Sequence, residues 1–331
     1  MVPGALSGLH PSSAVLEFVY RAGLARAGET PSVEALTGGV SSDIWRVDLK
    51  DGPICVKRAL PRLRVAQLWE APVERNRYER LWLQAAGDAV PGCTPTVLSW
   101  DDEQGLFAMQ YLEHPVWKER LRQGDADPAF AARVGAALAS IHAATAGRAE
   151  VATRFPTDQI FYAIRLEPYL VATAEKHPDL RHKLLSLVER TSSRKIALVH
   201  GDVSPKNILV SPQGPVFLDA ECAWYGDPAF DLAFCLNHLI LKSVWVPNAR
   251  LRDCFQALYR EYLARVTWEP PAAIEERTAT LLPGLLLARV DGKSPVEYLD
   301  EPQRQLVRRT ARTMFIADEK RLEKLWPKSL T

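Results

Sequence analysis

Cysteine is scarce and lacks any metal or disulfide pattern. The chain has five, Cys55, Cys93, Cys222, Cys235 and Cys254, an odd number with no C-x-x-C pair. A disulfide framework and a zinc knuckle are therefore excluded, and a reducing compartment is expected. Net charge is almost absent, +1 from 41 Lys and Arg against 40 Asp and Glu, so no global field would hold a polyanion and nucleic acid is not expected as a partner. Long apolar runs are missing too. The most apolar stretch, Phe230 to Val246, is interrupted by Asp231, Asn237, His238 and Lys242, whereas a membrane span needs about 20 mostly apolar residues. The start is unlike a secretory leader, since no Lys or Arg precedes Arg21 and the first apolar stretch contains Glu17. The expectation is a soluble, cytoplasmic protein with no membrane partner. Hydrophobic residues at 47% and charged residues at 24% exclude a disordered or fibrous chain. At about 150 residues per domain, the 331 residues suggest two packing units or one domain with a deep cleft.

Ser12 and Ser13 precede an amphipathic run in which Leu16, Val19, Tyr20 and Leu24 recur at helical spacing, predicting a capped helix over about 12–28. Short β-prone runs follow at Val33 to Leu36, Ile44 to Leu49 and Ile54 to Lys57, separated by Gly38-Gly39 and by the hairpin-turn dipeptide Asp51-Gly52. A charged helix from about Pro72 to Ala86 and two more strands, Thr96 to Trp100 and Leu106 to Leu112, complete a small sheet carrying one helix. After Glu113 helices dominate. Asp127-Pro128 opens a helix through Ala146 that Gly147 is placed to end, Asp227-Pro228 opens another through about Lys242, and helical periodicity recurs at 250–265, 272–290 and 301–325. Between them lies a hairpin around 207–219. The change of texture near 113 predicts a hinge between two lobes.

The segment His200-Gly201-Asp202-Val203-Ser204-Pro205-Lys206-Asn207, with Val216-Phe217-Leu218-Asp219 after it, sets polar groups between apolar strands. A hairpin whose turn centres on Gln213 would put positions 207 and 219 opposite each other, with Cβ atoms about 4.5–5.5 Å apart, near enough to share one ion. An amide oxygen and a carboxylate suit Mg²⁺, which takes few protein ligands and completes its shell with water and phosphate. Asp202, five residues before Asn207, could face the same site from the substrate side. Such an arrangement fits phosphoryl transfer, which needs metal ions on the phosphates, a carboxylate to orient the hydroxyl, and a lysine on the nucleotide.

His200-Gly201-Asp202 through Asn207, with Leu218-Asp219, resembles the catalytic core of the aminoglycoside phosphotransferase and choline kinase-like family of small-molecule kinases. The resemblance covers roughly residues 33–300, including Gly226-Asp227-Pro228-Ala229-Phe230-Asp231. It implies an α+β, bilobal, protein-kinase-like fold, with a small N-terminal antiparallel sheet and one helix plus a larger, mostly helical C-terminal lobe. Residues 1–113 would form the nucleotide-binding lobe, and residues 114–331 the lobe with catalytic loop, metal site and acceptor site. The implied cofactors are ATP and Mg²⁺, and the implied partner is a small molecule with an acceptor hydroxyl, such as an amino sugar or amino alcohol. By the same resemblance, Leu36 to Asp43 is the phosphate loop, with backbone N–H groups of Gly38, Gly39, Val40, Ser41 and Ser42 on the phosphates. Lys57 would hold the α/β-phosphates, fixed by Glu79 in preference to Glu74, and the hinge at Gln110, Tyr111 and Leu112 would bind adenine. Asp202 would be the catalytic residue, Asn207 and Asp219 the metal ligands, and Asp231 and His200 braces for the loop.

There are departures. Ser204 stands where eukaryotic protein kinases carry a lysine two residues after the catalytic aspartate, and Val40 and Asp43 stand where a G-x-G-x-x-G loop beginning at Gly38 needs glycine. Glu221 is open between a second metal contact and a substrate wall, and Lys206 between a nearby charge and a loop cap. Phe161 to Tyr169, with Trp224 and Tyr225, is expected to supply acceptor contacts. Two other functions compete: a metal-dependent phosphohydrolase using His200, Asp202, Asp219, Asp227 and His238, and a kinase-like pseudoenzyme that binds nucleotide without turnover.

Overall fold

The computed structural model describes residues 11–36, 41–62 and 72–327, so Gly38, Gly39 and Val40 lie outside the described residues. Helix α1 (Pro11–Arg21) leads into strands β1 (Ser32–Leu36), β2 (Ser42–Leu49) and β3 (Gly52–Ala59). Helix α2 (Arg75–Ala89), β4 (Val97–Asp101) and β5 (Leu106–Gln110) follow. The strands form one antiparallel sheet of order β1-β2-β3-β5-β4. Alternation along β3 divides its side chains between two environments. Ile54 and Val56 join Val15, Phe18 and Val19 of α1, whereas Cys55 packs with Trp82 and Leu83 of α2 in the main core, the side to which Lys57 also points. The leading helix stops at Arg21, short of the 28 expected, because the chain reverses at Gly23 with φ +68°.

Beyond Gln110 the chain is almost wholly helical. It runs through α3 (Trp117–Arg122), α4 (Pro128–Thr145), α5 (Ala149–Arg154), α6 (Asp158–Phe161), a π-helical stretch (Tyr162–Val171), α7 (Ala172–Lys176) and α8 (Arg181–Ser193). Then come β6 (Ala197–Val199), the hairpin β7 (Ile208–Ser211) and β8 (Gly214–Phe217), and β9 (Trp224–Gly226), which pairs with β6. Helices α9 (Ala229–Trp245), α10 (Arg250–Leu263), α11 (Pro271–Asp291) and α12 (Glu301–Ala317) close the fold. Helix α9 is buried from Ala229 to Val244, the condition of a helix apolar around most of its circumference. The final helix, expected to reach 325, ends where Asp318 turns left-handed at φ +47°.

The hairpin register differs from expectation. Ser211 pairs with Gly214 and Ile208 with Phe217, so the turn is the two residues Pro212-Gln213, and position 207 faces 218 instead of 219. The Leu218 N–H donates to the Asn207 carbonyl at 2.9 Å. Asp219 therefore stands one residue past the ladder, in a left-handed conformation at φ +64°. That conformation is costly for a residue with a Cβ and is kept only where the surroundings over-determine it.

Candidate active site

The junction between sheet and helices gathers the charged residues that the sequence singles out. Lys57, 2% exposed, places Nζ 2.8 Å from Glu79 Oε1 and 2.5 Å from Asp219 Oδ1, the latter 162 positions away in sequence. Glu79 is buried on α2, while Glu74 lies before that helix begins. Burial pushes the Glu79 carboxyl up to about 7 against the pull of Lys57. Burial opposes the charge on Lys57 as well, yet Asp219 and Glu79 raise its pKa above the ordinary value and keep it an ammonium. Asp219 is likewise desolvated, but Lys57 and Lys206 overcome burial and hold it well below the usual carboxylate range.

Asp202 lies on the loop that leaves β6. Its Oδ2 receives the Asn207 side-chain amide at 2.9 Å, Arg165 Nη2 at 3.1 Å and Lys206 Nζ at 3.1 Å. Burial would raise its pKa, but Lys206 and Arg165 bring it below the ordinary value. The lysine absent two residues after Asp202 is thus replaced in reach by one four residues after. Arg165 was not foreseen as an individual residue. It projects from the π-helical stretch, is 7% exposed, and also donates from Nε to the Gly201 carbonyl at 2.5 Å. Its one sequence signal is a charge amid the apolar run Ala163-Ile164-Arg165-Leu166.

Asp231, at the start of α9, accepts the His200 N–H at 2.7 Å and the Gly201 N–H at 2.8 Å, and faces His142 Nε2 at 3.2 Å. His200 Nδ1 accepts the Asp202 N–H at 3.1 Å, and Nε2 donates to the Leu218 carbonyl at 3.1 Å. Both ring nitrogens are engaged as in a neutral imidazole, and burial lowers the pKa. The edge of Trp82 on α2 packs on this ring with centroids 4.6 Å apart. Gly201 has φ +79°, and a Cβ there would meet the Cys222 carbonyl at 2.6 Å, so the loop needs glycine at that point.

Glu221 turns to Arg75 of α2, with Nε to Oε2 at 2.9 Å. Arg75, fully buried, also donates to the Ser41 carbonyl at 2.6 Å and the Leu60 carbonyl at 2.7 Å, tying Glu221 to the start of β2 and the end of β3. Ser41 and Ser42 are buried, and Ser42 Oγ has no hydrogen-bond partner among the described residues. At the end of β5, the Gln110 N–H is occupied by the Thr96 carbonyl at 2.8 Å. Tyr111 lies under Arg46, whose guanidinium is 4.8 Å from its ring centre, and Leu112 follows half-buried. Trp224 and Tyr225 are buried: Trp224 stacks on Phe161 at 4.2 Å and lines a cavity with Phe161, Tyr162 and Leu166, and the Tyr225 hydroxyl donates to the Ile196 carbonyl at 2.9 Å.

The ligand set of the competing phosphohydrolase does not converge. Asp227 caps α9 through the Ala229 N–H and pairs with Arg277 at 2.9 Å, and His238 lies two helical turns along α9. Among the described residues no three His, Cys, Asp or Glu side chains come together as a metal cage. Asn207 and Asp219 form a smaller donor set: Asn207 gives its amide N–H to Asp202, which leaves its oxygen, and Asp219 gives one oxygen to Lys57. One amide oxygen and one carboxylate oxygen suit a hard cation that shares its shell with phosphate.

A five-stranded antiparallel sheet followed by a larger helical region, with these charges at the junction, defines the protein-kinase-like fold. Residues 32–269 match the model of the phosphotransferase enzyme family (APH), and the chain belongs to that family. It is 28% identical over 226 residues to a methylthioribose kinase of Yersinia pseudotuberculosis, taking in 59% of this chain and 54% of that protein. The chain thus spans about half the length of the curated relatives it matches. Among solved structures, a choline/ethanolamine kinase family protein from Mesorhizobium loti shares the fold with a TM-score of 0.55 at 18% identity, covering 94% of this chain and 98% of that one. Amicoumacin kinase in complex with AMP-PNP and Ca²⁺ aligns with a TM-score of 0.60 at 12% identity over 94% and 95% of the two chains.

Proposed function

We propose that this chain is an ATP- and Mg²⁺-dependent kinase that phosphorylates a hydroxyl group of a small molecule, working in the cytoplasm. The observation that carries the reading is the meeting at Lys57 Nζ of Glu79 from α2 and Asp219 from beyond β8. It joins a nucleotide lysine to a metal carboxylate across the lobe boundary near residue 113. The amicoumacin kinase complex, which holds a nucleotide analogue and a divalent cation, supports both cofactors.

In this reading Lys57 reaches the α/β-phosphates, with Glu79 fixing its position. Ser41 and Ser42 belong with Gly38, Gly39 and Val40 to the phosphate loop. Adenine lies against the hinge at Gln110, Tyr111 and Leu112; with the Gln110 N–H already engaged, the Tyr111 and Leu112 N–H groups are the donors that remain. Asn207 and Asp219 hold the cation, which when bound neutralises charge on the transferring phosphates. Asp202 accepts the hydrogen bond of the acceptor hydroxyl. With its pKa held low by Lys206 and Arg165 it is a weak base, apt to orient the hydroxyl and take the proton late, as a loose transition state requires.

The test is ADP release with MgATP against methylthioribose, choline, ethanolamine, aminoglycosides, homoserine and simple sugars. Asp202→Ala is expected to lower kcat about 10²–10⁴-fold while MgADP still raises the melting temperature. Wild-type turnover in Asp202→Ala would refute the role of that residue, and turnover unaffected by Lys57→Ala would favour the phosphohydrolase.

A further inference from the structure

Past Asp202, away from the nucleotide lysine, the helical lobe carries an excess of buried positive charge that the phosphoryl-transfer machinery does not use. Arg165, bound to Asp202, lies over the rings of Tyr169 at 5.6 Å and Phe234 at 5.8 Å. Phe234 packs on His238 at 5.1 Å, and Arg289 from α11 donates to the Tyr169 hydroxyl at 3.0 Å. One turn beyond His238 on α9, Lys242 is 2% exposed, with Nζ 3.4 Å from the Tyr298 ring centre and 4.4 Å from that of Trp245. Lys118 on α3 places Nζ 5.5 Å from the same Tyr298 ring centre. Four elements therefore turn cations toward one region beside the catalytic loop.

The carboxylates nearby are already engaged. Asp202 is shared by Arg165 and Lys206, Glu297 by Lys118 at 2.7 Å, and Glu119 by Arg122 at 2.6 Å. Among the described residues neither Lys242 nor Arg289 has a carboxylate partner. Polar atoms are left over as well. His238, 4% exposed, has Nε2 without a hydrogen-bond partner, and Arg289 Nε and the Tyr298 hydroxyl are buried in the same state. Arg289 Nη1 also donates to the Ser294 carbonyl at 2.5 Å and Lys242 rests on two ring faces, but neither contact supplies a negative charge, so buried cations beside unsatisfied donors make a site that an entering anion would stabilise.

Resting on the kinase reading above, we propose that the phosphate acceptor carries an anionic group, a carboxylate or a phosphate monoester, held by Lys242, Arg289 and His238 while its hydroxyl faces Asp202. The same charges would repel a polycationic aminoglycoside or a quaternary ammonium alcohol. Lys242 also takes up the faces of Tyr298 and Trp245, where an ammonium substrate could otherwise rest. Burial first, then Lys118 and Arg289, bring Lys242 down to about 7, and burial with Arg289 and Lys242 takes His238 well below its ordinary value, so an entering anion would restore charge to both.

Calorimetric titration of the full chain, saturated with MgADP, tests this with matched pairs: gluconate against glucose, glycerate against glycerol, and ribose 5-phosphate against ribose, with choline and kanamycin as cationic probes. At least one anionic member is expected to bind about tenfold or more tighter than its neutral partner, and the pair that responds separates carboxylate from phosphate. Lys242→Met, which keeps the volume and removes the charge, is expected to erase that preference, and Lys118→Gln to weaken it. Equal or tighter binding of neutral or cationic probes, no saturation by any anion up to about 10 mM, or a preference untouched by Lys242→Met overturns the proposal. Wild-type protein that MgADP fails to stabilise overturns the kinase reading and this inference with it, which separates the two failures.

Discussion

Lys57 shares its ammonium between two carboxylates, the buried Glu79 and the partly exposed Asp219. Removing it leaves Glu79 and Asp219 facing each other, and breaking a buried pair typically costs about 3–5 kcal/mol. Glu79, already pushed up to about 7, relieves part of that by taking a proton. Lys57→Met is therefore expected to lose about 3 kcal/mol in urea unfolding, and Lys57→Met/Glu79→Gln to regain at least half. Additive losses in this double-mutant cycle would mean that the two side chains are not coupled. Lys242 makes the opposite case. Its pKa in the fold, about 7, lies below the ordinary 10.5, so between those values the unfolded chain binds more protons and stability rises with pH. Lys242→Met should be more stable than wild type by about 1–3 kcal/mol at pH 7, with a smaller gap at pH 9.5. A gap that widens with pH would show that the lysine is not desolvated.

At the scale of elements, the loop that begins at His200 is held by helix α9 through one carboxylate. Asp231 accepts two consecutive backbone N–H groups, one on each carboxylate oxygen, and an amide in its place would turn an NH2 donor toward one of them. Asp231→Asn is expected to cost about 1–3 kcal/mol and to lower kcat about tenfold or more, since a small displacement of Asp202 is enough for that. The KM values should change little if its role is to position the loop; a raised KM for ATP with normal kcat would contradict it. Helices α4 and α10 meet at Gly135, where an added Cβ would lie 2.1 Å from the Leu258 carbonyl oxygen. Gly135→Ala forces the helices apart and should cost about 1–3 kcal/mol or more, read as a lower melting temperature with unchanged KM values. Much of this element plan was legible because it rests on local signals. Asp51-Gly52, Asp127-Pro128 and Gly147 each sit at the boundary they mark. The hairpin register slipped by one because Pro212-Gln213 makes a two-residue turn, which hydrophobic alternation alone does not distinguish from a three-residue one.

For the whole molecule, the lobes are tied by contacts from 219–221 to the sheet and α2, through Lys57 and Arg75. A nucleotide binding at that junction stabilises the native state by mass action, about 2.7 kcal/mol at a hundredfold excess over Kd. MgADP should raise the melting temperature by about 5 °C, and chelation of the metal should remove most of that rise. A shift that persists in excess EDTA would assign the nucleotide site to Lys57 alone, without Asn207 and Asp219.

The sequence by itself determined the sheet-then-helices order, and the spacing of His200, Asp202, Asn207 and Asp219 singled out the candidate segment, because these are properties of neighbours along the chain. Choosing Glu79 over Glu74 needed only the helical positions of Leu81, Trp82 and Leu83. The tertiary structure alone decided what Arg75, Arg165 and Glu221 do, since each meets partners far away in sequence. It also decided that Trp224 and Tyr225 are buried, and that Lys242 meets Tyr298 and Arg289 meets Tyr169 with no carboxylate partner among the described residues. Charge pairing and desolvation depend on distance through space, and one-dimensional spacing carries that information only when the partners lie on the same strand, helix or turn.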